Sequence, residues 1–275
     1  DVTGNNNVGV GYNVLTALTS GTSNIGIGKN AGQSMTTGNQ NTAVGSPSLG
    51  TLTTGVSNTA LGYVALQGAT TSSYNTAVGA EAGYTTTTGA SNTSLGYQAF
   101  RLNTTGANNT AVGNQSLDAN TTGVQNTAVG SSALGTNTTG GNNIAVGDGA
   151  LRLNTTGATN IAVGRQALDA NTTADRNVAV GHTVLNANTT GASNAAVGME
   201  AMLANTTGAN NVAVGYQALD ANTTATQNVA IGNGALGANT TVSELTAVGH
   251  EAANAANGAL GICAIGYKAA TDTTG

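Results

Sequence analysis

Asn126-Thr127-Ala128-Val129-Gly130-Ser131-Ser132-Ala133-Leu134-Gly135-Thr136-Asn137-Thr138-Thr139-Gly140-Gly141-Asn142 is a 17-residue unit, and the chain is built of its copies. One glycine of the unit recurs at Gly11, Gly28, Gly45, Gly62, Gly79, Gly96, Gly113, Gly130, Gly147, Gly164, Gly181, Gly198, Gly215, Gly232, Gly249 and Gly266 without an insertion or deletion. A fixed short period of this kind is the signature of a solenoid, in which each repeat stacks only on its neighbours.

Composition narrows the interior. Only 6% of the 275 residues are charged, Trp is absent, and Phe and Pro occur once each. Large side chains cannot fill a wide core here, so a thin coil packed by small residues is expected. Low complexity also fits disorder, but a disordered linker has no reason to hold a strict aliphatic register. The net charge of −5 leaves no basic patch for nucleic acid. No apolar run is long enough to span a bilayer. With no initiator Met and with both ends in mid-repeat, the chain reads as a segment of a longer protein.

We number the unit from the Asn of Asn-Thr-Ala-Val-Gly, so that the recurrent Gly is position 5. The domain expectation is one continuous solenoid over residues 1–275. Residues 1–6 end a preceding repeat, 7–261 are fifteen full repeats, and 262–275 begin the last. Position 1 is Asn except at Leu245 and Ile262; position 3 is small; position 4 is Val, Ile or Leu. Such a β-branched run closed by Gly predicts a short strand over positions 1 to 4. Bulky residues at 2 and 4 predict a strand covered on both faces, as in buried parallel sheets, with the coil on one side and a partner chain on the other. Cys263, in column 2, is then expected to be a small buried apolar residue.

Position 9 is mostly Leu and is assigned to the coil interior, with Phe100 filling the space left one coil earlier by Gly83. Positions 12 to 14 read Asn-Thr-Thr in nine successive copies, from Asn103 to Thr241, after apolar Leu18, Met35 and Leu52 in column 12. A second extended stretch is expected near 11 to 14, with Asn and Thr ladders between coils. Gly at position 15 is expected to supply a positive φ. Apart from Asp1 and Asp272, the charges fall at positions 6, 7, 10, 16 and 17, which marks these as solvent-facing corners. The fold expected is an all-β parallel β-roll or β-helix of sixteen coils, roughly 75 Å long at the inter-strand spacing.

Asn92 to Gly106 and Asn211 to Thr224, with Asn-Thr-Ser-Leu-Gly-Tyr-Gln-Ala-Phe and Asn-Val-Ala-Val-Gly-Tyr-Gln-Ala-Leu each leading to Asn-Thr-Thr, carry a resemblance. The chain resembles the repeats of tail-fibre-domain proteins of bacteria and phages. It is similar also to the head repeats of trimeric autotransporter adhesins. The resemblance spans nearly the whole chain and implies a left-handed roll, three chains about one axis, and a role as an extracellular or particle-borne fibre or adhesin. The adhesin repeats are shorter, and the self-cleaving C-terminal domain of many tail-fibre proteins is absent from this sequence.

Catalysis has little to draw on, and neither an enzyme nor a cofactor is expected. Asp118, Asp169 and Asp220 share position 10 but lie three coils apart. The calcium-binding Gly-Gly-x-Gly-x-Asp repeat is absent. His182 and His250 share position 6 four coils apart, so within one chain they cannot hold one metal. Tyr12, Tyr63, Tyr97, Tyr216 and Tyr267 also stand at position 6. They are the candidate binding residues, for a sugar or protein receptor, against the plainer reading that each covers the edge of its coil. The Asn-Thr-Thr triplets match the glycosylation sequon but are better explained as a ladder. The expected function is a structural and adhesive fibre segment outside the cell or on a virion-like particle, acting as a rigid homotrimeric rod with no nucleic acid or membrane insertion. The alternative is an ice-binding or surface-layer solenoid using its Thr and Asn ladders.

Overall fold

A computed structural model describes residues 4–255 and 261–271. Asp1 and Asp272, set aside among the charges, lie outside the described residues. The described residues contain sixteen three-residue strands and no helix. The chain divides into two compact units, Asp1–Thr139 and Gly140–Gly275. The first holds β1 (Val8–Val10), β2 (Ile25–Ile27), β3 (Thr42–Val44), β4 (Thr59–Leu61), β5 (Thr76–Val78), β6 (Thr93–Leu95), β7 (Thr110–Val112) and β8 (Thr127–Val129). The second holds β9 (Ile144–Val146), β10 (Ile161–Val163), β11 (Val178–Val180), β12 (Ala195–Val197), β13 (Val212–Val214), β14 (Val229–Ile231), β15 (Thr246–Val248) and β16 (Cys263–Ile265).

Within each unit consecutive strands pair in parallel and in register. Thr42, Ala43 and Val44 of β3 face Thr59, Ala60 and Leu61 of β4, and Ile161, Ala162 and Val163 of β10 face Val178, Ala179 and Val180 of β11. Each unit is thus a parallel β-solenoid with one coil per 17-residue repeat, as the period predicts.

Among the described residues the extended stretch expected near positions 11 to 14 forms no second strand. Coil-to-coil hydrogen bonds nevertheless run right round the repeat. In the coil of β7, Thr110 N donates to Asn126 O (2.8 Å), Leu117 N to Ala133 O (2.9 Å), Ala119 N to Gly135 O (3.0 Å) and Thr121 N to Thr138 O (2.9 Å). In the other direction Gly113 N donates to Leu95 O (2.8 Å), Gln115 N to Tyr97 O (3.0 Å) and Gln125 N to Ala107 O (3.1 Å). Turn conformations at nearly every corner break the strand geometry without leaving the buried backbone unpaired.

Those corners use left-handed backbone. Gln115, Leu117 and Gln125, at positions 7, 9 and 17, have φ of 52°, 52° and 58°. A bulky leucine at positive φ is uncommon, and here it recurs at Leu134, Leu151, Leu168, Leu185, Leu219 and Leu236. The strain stands because each such leucine is buried in the coil.

The two strand faces divide by side-chain size. The small position 3 points inward: Ala43, Ala60, Ala77, Ala111 and Ala128 have no solvent exposure. The bulky positions 2 and 4 point outward and lie open on the chain. A 17-residue coil is too narrow for two large side chains to meet across it, so alanine on the strand packs against leucine from position 9. In the first unit Ala43, Ala60 and Ala77 join Leu49, Leu52 and Leu66 in one cluster. Cys263, being in column 2, is therefore exposed and not buried.

Two further expectations are corrected. The position 15 glycines do not take positive φ. They make room instead: a β-carbon on Gly106 would lie 2.4 Å from both Gly123 O and Asn103 Oδ1, and one on Gly55 would lie 2.7 Å from Leu52 Cδ1. The recurrent position 5 does need glycine, as Gly113 has φ of 134° and a β-carbon there would meet Gly130 O at 2.5 Å. The space over Gly83 is taken by Leu66 of the preceding coil, whose Cδ2 lies 2.8 Å from where a β-carbon would stand. Phe100 is buried in its own coil.

Candidate functional surface

The interior polar columns fix where every outward side chain stands. Asn109 Nδ2 donates to Asn92 Oδ1 (3.2 Å) and to Gly123 O (2.9 Å), while Asn109 N donates to the same Asn92 Oδ1 (2.9 Å). In column 12, Asn120 Nδ2 donates to Asn103 Oδ1 (3.1 Å) and to Gly123 O (3.1 Å). The carbonyl of position 15 thus ties two buried Asn ladders together. Thr121 Oγ1 at position 13 donates to Thr138 O (3.0 Å) in the next coil, whereas the following column, with Thr105 and Thr122, is exposed. Amides satisfied on both sides cost little to bury and hold register strongly.

Three outward features result. The first is an aliphatic stripe along each unit, unbroken at position 4, with Leu61 and Leu95 in the first and Val146 and Val163 in the second; position 2 beside it is Thr from Thr42 to Thr127 and aliphatic at Ile25, Ile144 and Ile161. Apolar side chains in unbroken rows on an open sheet face are characteristic of a surface that meets another protein.

The second is the tyrosine column. Tyr12, Tyr63, Tyr97, Tyr216 and Tyr267 are all exposed, as position 6 requires. They do not form one site. Tyr267 stacks on His250 with centroids 5.4 Å apart, and Lys268 Nζ lies 5.6 Å from its ring centre. Tyr63 instead borders a hollow it shares with Gln67, Glu81 and Tyr84. Tyr84 and Gln67 were missed in the sequence because they sit at position 10, outside the tyrosine column.

The third is the charged column at position 10, which is less exposed than its variability suggests. Arg101 Nε and Nη2 hold Asp118 Oδ1 and Oδ2 at 2.9 and 3.1 Å, and Arg152 holds Asp169 in the same way at 2.8 and 2.9 Å. Asp169 is only 9% exposed. These bidentate pairs raise both arginines above their ordinary value, chiefly through the hydrogen bond to the aspartate. Asp220 has no such partner, and its carboxyl is raised, first by burial and then by nearby Glu200, against the opposing pull of its backbone N–H bonds.

His182 lies 3.3 Å from Arg165 Nη1, and His250 lies 4.0 Å from Glu251. Among the described residues no three His, Cys, Asp or Glu side chains are grouped as metal ligands, and no helix is long and apolar enough to cross a membrane. No family model matches the chain, and no curated protein matches it.

Proposed function

We propose that this chain is a structural and adhesive segment of an extracellular or particle-borne fibre, working as a rigid rod of three identical chains. The observation that carries the proposal is the outward aliphatic stripe on a solenoid whose backbone bonds from coil to coil. Each coil satisfies its own backbone through its neighbours, so stiffness needs no further partner. The stripe does need one, because rows of Val, Ile and Leu in water lose about 25 cal/mol for each Å² left uncovered. Three identical stripes meeting about one axis cover one another without leaving an open edge. The similarity to tail-fibre and adhesin repeats supports the same number of chains and a left-handed winding. In this reading the tyrosine column and the position 10 hollows are left outside the bundle to meet a receptor on a cell surface.

The alternative use of the threonines, as an ice-binding or surface-layer face, draws less support. The position 13 hydroxyls already serve the stack, as Thr104 Oγ1 does with Thr121 O at 3.0 Å. Of the two adjacent Thr columns only position 14 stays open, where a flat face of two neighbouring ranks would be needed.

Sedimentation equilibrium tests the proposal. The expected species has three times the 26.5 kDa chain mass. Ile144→Asp with Val146→Asp should split it while leaving the β-type circular dichroism intact. A well-folded wild-type monomer would refute it.

A further inference from the structure

The outer surface opens into two adjoining hollows between the third and fifth coils. Position 10 there runs Gly50, Gln67, Tyr84, and position 11 runs Thr51, Gly68, Thr85. Gly68 lets its backbone lie close against the next coil, a β-carbon there standing 2.8 Å from Tyr84 O, and a hollow of about 350 Å³ lined by Thr51, Gln67, Gly68, Tyr84, Thr85 and Thr87 opens beside it. Gln67 and Tyr84 also line a second hollow of about 270 Å³, closed on its far side by Tyr63 and Glu81. Beyond Tyr84 the column is capped by the Arg101–Asp118 ion pair at 2.9 Å.

The polar groups here are only partly committed. Gln115 and Gln217 bond Gln98 and Glu200 at 3.0 and 2.8 Å, whereas the Gln67 amide has no hydrogen bond among the described residues. Glu81 is held by Gln98 Nε2 on Oε2 at 2.9 Å, which fixes the carboxylate and leaves Oε1. Tyr63 and Tyr84 make no ring contact of the kind that occupies Tyr267. The hollow is thus walled by two free aromatic faces, with an amide and an oriented carboxylate between them.

We infer that this double hollow is a carbohydrate site, and that it takes neutral hexopyranose units of a surface glycan. The inference rests on the adhesive reading above and names its ligand. A pyranose offers an apolar C–H face, which suits a tyrosine ring. Its hydroxyls both donate and accept, which suits an amide able to do the same and a carboxylate that only accepts. Glu81 is the one charged residue lining either hollow, so an acidic sugar would set carboxylate against carboxylate.

The test uses the full chain on immobilised neutral hexose oligosaccharides, with sialylated and uronic oligosaccharides alongside. Binding is expected to the neutral set alone, weakened about tenfold or more in Tyr84→Ala and in Tyr63→Ala, less in Gln67→Ala, and unchanged in Lys29→Ala, an exposed position 6 residue outside both hollows. All four side chains are on the surface, and circular dichroism confirms that each variant folds. Binding that survives Tyr84→Ala and Tyr63→Ala, or binding to the acidic set only, overturns the site. Labelled chain on intact cells separates the two readings. Attachment abolished by periodate and by Tyr84→Ala supports both. Attachment that resists periodate and both tyrosine variants overturns the glycan site and leaves adhesion standing. No attachment to any cell, with no glycan bound, overturns both.

Discussion

Leu52 and Asn120 occupy the same place in the coil, position 12, and both are completely buried. One lies among Met35 and Ala69 in an apolar column; the other lies in a ladder of amides with Asn103 and Asn137. The backbone around them is the same, down to the position 15 glycine that gives each side chain room. What differs is only the column neighbour. A buried amide is cheap when the coil above and the coil below carry one too, and costly when they do not. In a solenoid the unit of selection at a buried site is therefore the column and not the residue.

The sharpest way to break this comparison is to cross the two columns. Leu52→Asn removes a filled apolar site and buries an amide with at most Gly55 O to bond. It should cost about 3–4 kcal/mol, read as a fall in the urea midpoint. A cost under about 1 kcal/mol would mean that neighbours do not matter. The converse, Asn120→Leu, strips the acceptor from Asn137 Nδ2 (2.9 Å) and the donor from Asn103 Oδ1. About 2–3 kcal/mol should be lost, less than in the first case because the new leucine recovers apolar contact.

The seam between the columns offers a gain. Thr86 stands between Ala69 and Asn103, and its buried Oγ1 has no hydrogen-bond partner. Asn at this place would accept from Asn103 Nδ2 and could reach Gly89 O, as its ladder neighbours reach theirs. Thr86→Asn is expected to stabilise by about 1 kcal/mol, visible as a raised thermal midpoint. Loss of stability instead would place the value of the ladder elsewhere than in its amide bonds.

Much of this was legible in the residues. The spacing of the recurrent glycine and the Asn-Thr-Ala-Val run give the coil, the strand and the position 1 ladder directly. Which strand face enters the coil was not legible, because bulk ordinarily marks the inside of a sheet. In a coil this narrow the alanine goes in, and Val8, Val10 and Cys263 face out. The left-handed leucines were hidden as well, since leucine gives no sign of positive φ. The signal lies in the exceptions: Gly32 and Gly83 at position 9, and Gly149 and Gly234 at position 7, all with φ near that of the residues they replace. The Tyr63–Tyr84 hollow could not be read from columns at all. It depends on residues from separate coils brought side by side.

The same column rule reaches the half-buried position 10, with a smaller effect. Asp118 and Asp169 each have an arginine one coil before them in the column, and the arginine neutralises the carboxylate where it stands. Asp220 has Leu203 there instead. Its carboxyl is raised by burial, with Glu200 adding to the rise. A carboxyl raised on folding makes the folded state bind its proton more tightly than the unfolded state does. Asp220 therefore opposes folding at neutral pH, and the penalty fades as the pH falls through the raised value toward the ordinary carboxylate range. Asp220→Asn should lift the thermal midpoint at pH 7 and lose that advantage on acidification. Asp169→Asn should do the reverse at pH 7, costing a few tenths to about 1 kcal/mol, since its arginine is partly exposed and screened. Leu203→Arg should remove the penalty of Asp220 at neutral pH by supplying the missing neighbour, and salt should erode the gain. If the two aspartate variants shift stability in the same direction at pH 7, the column neighbour does not govern this site.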